Sequence, residues 1–227
     1  MKKTLKTAFV STLPVLTGYL VLGFGFGIIL KSSGYGVFWA FIMSLLIYAG
    51  SMQYVAIGLL TGGASLITTA LTTLMVNARH LFYGISMLGK YKGTGKRKPY
   101  LIFALTDETY SLVCSDNIDV EEGRRTDYFF FVSLFNHCYW VLGSVLGALV
   151  GTLVHFNTAG IDFALTALFL TVFTDQWLNS KNHVPAIVGV AVSVLCLLIF
   201  GGDSFLIPAM LILALLLCLY KEGGKAK

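Results

Sequence analysis

Charge is scarce in this chain of 227 residues, since Asp, Glu, Lys and Arg together make up 12% of it. A soluble domain usually carries about 25% charged residues, which cover its exterior. Hydrophobic residues reach 56% here, and the mean hydropathy is +0.80. These values exclude an ordinary soluble domain and predict an all-α, polytopic membrane protein.

Three further absences narrow the class of protein. The four cysteines have no CxxC spacing and lie in or beside apolar runs, so we expect neither a disulfide nor a metal site. The pattern Gly23-x-Gly25-x-Gly27 lacks the strand and turn of a nucleotide-binding motif, and we expect no cofactor. A long polar segment is also missing, which predicts a single transmembrane transport domain over residues 1–227.

The formal net charge of +5 comes from basic residues that lie beside apolar runs. Such Lys and Arg face the cytoplasm and anionic lipid, so the expected partner is a lipid bilayer and not nucleic acid. Lys2, Lys3 and Lys6 precede an apolar run without a convincing signal-peptide cleavage site, which predicts a retained first helix. We expect a multi-pass protein of the plasma membrane with both termini in the cytoplasm.

The chain contains about seven to eight apolar segments of helical length. They cover residues 7–30, 35–60, 65–88, 100–114, 128–154, 160–177, 185–200 and 205–220. Basic clusters place the N-terminus, the 90–98 loop, the 124–125 loop and the C-terminus on the cytoplasmic side. Three full crossings before residue 90 cannot satisfy that pattern. Either an early segment is broken or re-entrant, or the N-terminal cluster departs from the rule, and segment 100–114 must turn back.

Arg79 is the basic residue that lies inside an apolar run, between residues 71 and 83. A guanidinium stays charged and is costly in hydrocarbon, so an intramembrane Arg indicates a ligand site, an ion path or a buried ion pair. Asn77 and His80 stand beside it and extend the polar site. His80 has no second ligand at chelating spacing, which argues against a metal site.

Segment 35–60 carries Gly50, Ser51 and Gln53 at its middle. A Gly-Ser pair at this depth can mark a helix break whose freed backbone groups line a cavity. A tilted, unbroken helix in which Gln53 bonds to a neighbour is an equally good interpretation.

Adjacent carboxylates interrupt the short run 100–114 at Asp107 and Glu108. At least one of them could face Arg79, because an ion pair lowers the cost of burying both charges. Alternatively, the two carboxylates cap a short interfacial helix.

Glycines at two places indicate close helix packing. Gly143, Gly147 and Gly151 recur at every fourth residue and therefore share one helix face, which is a strong signal for an intimate helix pair. The glycines at residues 23, 25 and 27 favour the same interpretation, with local unwinding as the alternative.

Four motifs, taken together and in order, resemble the AzlC family, the large subunits of branched-chain amino acid exporters. They are YAGSMQ at 48–53, VNARHLFYG at 76–84, LTDET at 105–109 and GIDFA at 160–164. The resemblance covers about residues 8–217. It implies export of valine, leucine or isoleucine, with methionine as a further candidate substrate, and a small membrane partner subunit of the AzlD type.

The polar residues fit such a substrate. A zwitterionic amino acid needs a cation for its carboxylate and an anion for its ammonium group, which Arg79 and either Asp107 or Glu108 could supply. The predicted substrate-binding residues are Arg79, Asn77, Gln53, Gly50, Ser51, Asp107 and Glu108. His80, Asp107 and Glu108 are the candidates for proton coupling.

Two rival functions use the same residues. An intramembrane enzyme could employ His80 with Asp107 and Glu108 as acid–base groups, although no convincing nucleophile accompanies them. A non-catalytic assembly or channel subunit would use the polar residues to pair helices.

Overall fold

A computed structural model gives the fold of this protein. It describes residues 1–115, 118–153, 170, 173–174, 177–178, 180, 182–201, 205, 208–209, 211–213 and 215–216. Every regular element in these ranges is helical, as the composition predicts. The chain divides into two compact units, Met1–Leu165 and Thr166–Lys227. The single transmembrane domain over 1–227 stays a prediction.

Among the described residues of the first unit, six short helices lie between two long ones. Their bounds are α1 (Lys2–Ser32), α2 (Val37–Leu46), α3 (Gly50–Thr61), α4 (Leu66–Val76), α5 (Ala78–Met87), α6 (Lys98–Phe103), α7 (Asp107–Val113) and α8 (Arg125–Leu153). Two 3₁₀ turns, Gly95–Arg97 and Glu122–Arg124, precede α6 and α8. The short helices pair off within the predicted apolar segments, so each of those segments is interrupted.

The two long helices, α1 and α8, pack against each other through glycine. A Cβ on Gly147 would lie 2.7 Å from backbone carbon of Phe24, and one on Gly143 would lie 2.9 Å from the Tyr19 carbonyl oxygen. From the α1 side, a Cβ on Gly23 would lie 3.0 Å from the Trp140 carbonyl oxygen. Larger residues would hold the backbones apart. The predicted intimate helix pair is confirmed.

Segment 35–60 is broken at its middle. Helix α2 ends at Leu46 and α3 begins at Gly50. Between them, Tyr48 has a φ of 45°, which is unusual for a residue that carries a side chain. Its amide donates to the Met43 carbonyl oxygen at 3.3 Å, one residue further back than in a regular α-helix. The predicted break is confirmed, whereas the cavity that its backbone groups would line stays a prediction.

Segments 65–88 and 100–114 are interrupted as well. Asn77 separates α4 from α5, and its backbone N–H donates the last hydrogen bond of α4 to the Thr73 carbonyl oxygen. Thr106 precedes α7, and its hydroxyl accepts a hydrogen bond from the Thr109 amide at 3.3 Å. Such a cap satisfies one of the free amides at a helix N-terminus. Asp107 and Glu108 occupy the first turn that it opens.

By length and composition, two helices in the described ranges are able to cross a membrane, Lys2–Ser32 and Glu122–Leu153. Shorter apolar helices cover Val37–Leu46, Leu66–Val76 and Val184–Phe200. The all-α prediction is confirmed, whereas the count of seven to eight segments stays a prediction.

In the second unit the structure describes one regular helix of seventeen residues, α9 (Val184–Phe200). Its buried Val192 and Cys196 pack with Ala209. Most of the predicted segment 160–177, residues 202–203 of the hairpin turn and half of segment 205–220 lie outside the described residues.

Candidate functional site

The three helix breaks meet at Arg79. This residue lies in the first turn of α5, directly after the Asn77 break. One terminal nitrogen of its guanidinium donates to the Ser51 hydroxyl at 2.8 Å, and the other forms an ion pair with Asp107. Ser51 lies in the first turn of α3, and Asp107 begins α7. One side chain therefore joins three interrupted segments, and the expectation that a carboxylate faces Arg79 is confirmed.

The ion pair is accessible. Within the described chain, 35% of the Arg79 side chain and 26% of the Asp107 side chain are exposed. The Arg79 Nε atom is nonetheless buried and has no hydrogen-bond partner of standard geometry among the described residues. The same holds for the Asn77 Oδ1 atom. Buried polar atoms are almost always bonded, so these two mark places that a ligand or water would satisfy.

Glu108 has a different environment from its neighbour Asp107. Its Oε2 atom accepts a hydrogen bond from the Tyr19 hydroxyl at 2.6 Å. The same hydroxyl lies 2.8 Å from the Thr106 hydroxyl, and Tyr19 is buried in α1. Of the two adjacent carboxylates, Asp107 therefore pairs with the Arg79 cation and Glu108 with the Tyr19 phenol.

His80 is held by local contacts. Its Nδ1 atom lies 3.2 Å from the Asn77 carbonyl oxygen, and its ring meets Tyr83 edge to face, with 5.9 Å between centroids. Tyr83 in turn stacks on Tyr110 at 4.7 Å. These contacts place His80 in the turn that carries Arg79.

Gln53 and Gly50 lie behind the site. Gln53 is fully buried, and its amide is used at both ends: Oε1 accepts from the Trp140 indole at 2.8 Å and Nε2 donates to the Ser44 hydroxyl at 3.2 Å. A Cβ on Gly50 would touch the Trp140 ring at 3.4 Å. Their predicted contact with substrate stays a prediction, and their visible role is to pack the start of α3.

Taken together, the site presents a cation and an anion side by side at an accessible position. Its chemistry suits a small ligand that carries both charges, because the ligand can exchange its own charges for those of the protein pair. Among the described residues, His, Cys, Asp and Glu form no group of three that could hold a metal ion.

Sequence reasoning missed Tyr19 and gave no site role to His137 and Trp140. Tyr19 lies in the glycine-rich first segment, where a tyrosine passes as an ordinary amphipathic residue. The usable signal was that aromatic residues with a polar tip need a partner when they are buried. Asn136, His137 and Trp140 stand within five residues of α8. They also carry polar groups that need a partner when they are buried, and this need could have singled them out.

Interrupted apolar helices around an ion pair define the class as a helical membrane protein with a polar site at its helix breaks. Residues 14–154 of the chain match the family described as AzlC protein. No solved structure matches the chain.

Relatives extend over most of the chain. It is 47% identical to the branched-chain amino acid transport protein AzlC of Bacillus subtilis, over 98% of this chain and 87% of that protein. It is 43% identical to an uncharacterized membrane protein of Helicobacter pylori, with 97% and 96% covered. The inner membrane protein YgaZ of Escherichia coli is 29% identical over 70% of this chain and 68% of its own length. The chain belongs to the AzlC family and is a membrane protein.

Proposed function

We propose that this protein is a carrier that exports branched-chain amino acids across the plasma membrane. The name of the Bacillus subtilis relative supports the substrate class. The observation that carries the proposal is the pairing of Arg79 with Asp107 and Ser51 at the point where three broken segments meet. Interrupted membrane helices are the usual setting of a transporter binding site.

In this proposal Asp107 occupies the place of the substrate carboxylate when the site is empty. The incoming carboxylate binds the Arg79 guanidinium, whose planar fork can donate hydrogen bonds to two oxygens at once. Asp107 is released by this exchange and binds the substrate ammonium group. Ser51 keeps its bond to the second guanidinium nitrogen and orients the fork. The buried Nε of Arg79 and Oδ1 of Asn77 are further polar atoms available to the ligand.

In this proposal, Glu108 is the residue that couples transport to the proton gradient. Arg79, Asp107 and Glu108 carry one formal positive and two formal negative charges, and a zwitterion adds none. A proton on Glu108 would balance the site during transport, since an unbalanced charge in the membrane is costly. The Tyr19 hydroxyl, 2.6 Å from Glu108, is placed to hold that carboxyl in either state. His80 and Asp107 are alternatives for the same role.

We further propose that the carrier acts with a small membrane subunit of the AzlD type and accepts methionine as well as valine, leucine and isoleucine. Methionine resembles leucine in volume, and its side chain is flexible enough to enter an apolar pocket that fits leucine.

Counterflow in reconstituted vesicles tests the proposal. Vesicles loaded with unlabelled valine, leucine, isoleucine or methionine are mixed with external labelled leucine, with and without the small subunit. Exchange that depends on the protein supports a carrier. Conversion of the amino acid would instead indicate an intramembrane enzyme, and neither exchange nor conversion would indicate an assembly subunit.

A further inference from the structure

Two of the three interrupted segments are held in place by one face of α8. Asn136, His137 and Trp140 point from this continuous helix into the protein and are each less than 8% exposed. His137 and Trp140 are bonded to the α2–α3 break, and Asn136 is bonded to the start of α7. All three contacts come from little more than one helical turn.

His137 closes the end of α2. The Ser44 carbonyl would bond to the Tyr48 amide in a continuous helix, but that amide turns to Met43. The His137 Nε2 atom lies 3.3 Å from the Ser44 carbonyl oxygen instead. A carbonyl oxygen can only accept, so Nε2 carries the hydrogen. In the neutral ring, Nδ1 then accepts from the Tyr100 hydroxyl at 3.2 Å.

Trp140 and Asn136 fix the helices that follow the breaks. The Trp140 indole donates to Gln53, which lies in the first turn of α3, two residues after Ser51. The Asn136 amide donates to the Thr109 hydroxyl at 3.0 Å. That hydroxyl also accepts from Thr106, the cap of α7 that directly precedes Asp107. These bonds lie next to the two residues that Arg79 contacts.

We infer that Asn136, His137 and Trp140 are positioning residues of the transport site, which hold Ser51 and Asp107 at the separation that a single guanidinium bridges. Arg79 bonds to both residues at once, so a shift of either helix start would break one contact. The close glycine contacts fix the position of α8 against α1. The two breaks that α8 contacts are therefore held relative to a rigid helix pair. The inference rests on the proposed function for its effect on transport, but the geometry it describes is measurable without substrate.

Two substitutions of His137 separate this role from simple packing. The amide nitrogen of Gln reaches about the position of Nε2, whereas that of Asn reaches about that of Nδ1. H137Q therefore keeps the donor to Ser44, and H137N removes it. Loss of such a bond to a buried carbonyl shifts an equilibrium by about five- to a hundredfold. We expect the leucine KM of H137N to rise by about tenfold or more, whereas the KM of H137Q stays within about threefold of the original.

The second measurement is cross-linking of S51C with D107C by a short bifunctional thiol reagent, in a background without the native cysteines. H137N should lower the yield and H137Q should not. The pair F9C and F135C, whose native rings lie 5.7 Å apart between α1 and α8, is the control that neither variant changes. Equal yields for H137N and H137Q overturn the inference, as do equal KM values.

If H137N does not reach the membrane, W140F makes the same test. It removes the donor to Gln53 together with the outer edge of the indole that packs on Gly50, the two contacts through which Trp140 fixes the start of α3. A lower yield for S51C with D107C supports the inference, and an unchanged yield overturns it. Yields that follow the prediction in a protein that exchanges no amino acid would leave the positioning role intact and refute the proposed transport function.

Discussion

At the scale of single residues, the proposed site needs a guanidinium, because an ammonium group cannot make the same contacts. Arg79 bonds to Ser51 and Asp107 through different nitrogens of one rigid fork. A lysine at this position keeps the charge but acts as a single point of attachment. Its three donors leave from one nitrogen, so it cannot present two parallel N–H groups to a carboxylate.

Arg79→Lys should leave a folded, inserted protein whose leucine exchange is reduced by about tenfold or more, because the fork that receives the carboxylate is lost. Arg79→Ala should abolish exchange. Initial rates of counterflow, normalised to the amount of protein in the vesicles, measure both effects. Full activity of Arg79→Lys would mean that only the positive charge matters.

Glu108→Gln should uncouple transport from the proton gradient. The amide still accepts a hydrogen bond from Tyr19, but it cannot take up a proton. We expect counterflow of leucine at equal pH to continue and net export driven by a pH gradient to stop. Tyr19→Phe is the matched control, since it removes the hydroxyl and keeps the carboxylate. If net export by Glu108→Gln follows the gradient as before, Glu108 is not the coupling residue.

The charges in this site could be predicted from sequence and their partners only in part. Arg79 stands out because a permanent charge inside an apolar run has few explanations. Its pairing with a carboxylate of the 107–108 pair followed from charge balance. Which of the two carboxylates would pair, and that Tyr19 would take the other, depends on how α1 and α7 meet in space. No local pattern encodes that contact.

At the scale of elements, the packing of the long helices was easier to predict from sequence than the breaks between the short helices. The spacing of Gly143 and Gly147 predicted an intimate helix pair, because small residues on one face let two helices approach closely, but it did not identify α1 as the partner. The break at Asn77 could not be anticipated, since Asn is ordinary at mid-helix in a polar site. The positive φ of Tyr48 could not be predicted from the sequence either.

Gly147→Ala should weaken the helix pair. The added methyl group would lie within 2.7 Å of the Phe24 backbone, which cannot move aside as a side chain can. Overpacking of this kind costs about 1–3 kcal/mol. Gly18→Ala in α1 is the matched control, because a Cβ there has no neighbour within 4 Å. Unfolding of purified protein in a series of detergent mixtures compares the two, and equal stability would contradict the packing described above.

At the scale of the whole molecule, the breaks relieve the conflict between charge and crossing number. The basic clusters predict a cytoplasmic 90–98 loop, although three apolar segments separate it from an N-terminus that should also be cytoplasmic. Two of those segments are each divided into a pair of short helices. Interrupted segments of this kind need not each cross the membrane.

Lys92→Cys tests the predicted orientation. Lys92 is exposed in the 90–98 loop. In a background without the native cysteines, a membrane-impermeant maleimide should label it in inside-out vesicles and not in intact cells. Labelling of permeabilised cells gives the total for comparison. Labelling from outside intact cells would place this loop on the opposite side and reverse the orientation.

The central claim is that the Arg79 guanidinium binds the carboxylate of the transported amino acid. The most direct measurement compares the binding of leucine and leucinamide, which lacks that carboxylate, to the original protein and to Arg79→Ala, with Arg79→Ala/Asp107→Ala as a control for the unpaired acid. We expect the original protein to prefer leucine by about tenfold or more, and both variants to bind the two compounds equally. An undiminished preference for leucine in Arg79→Ala would contradict the claim.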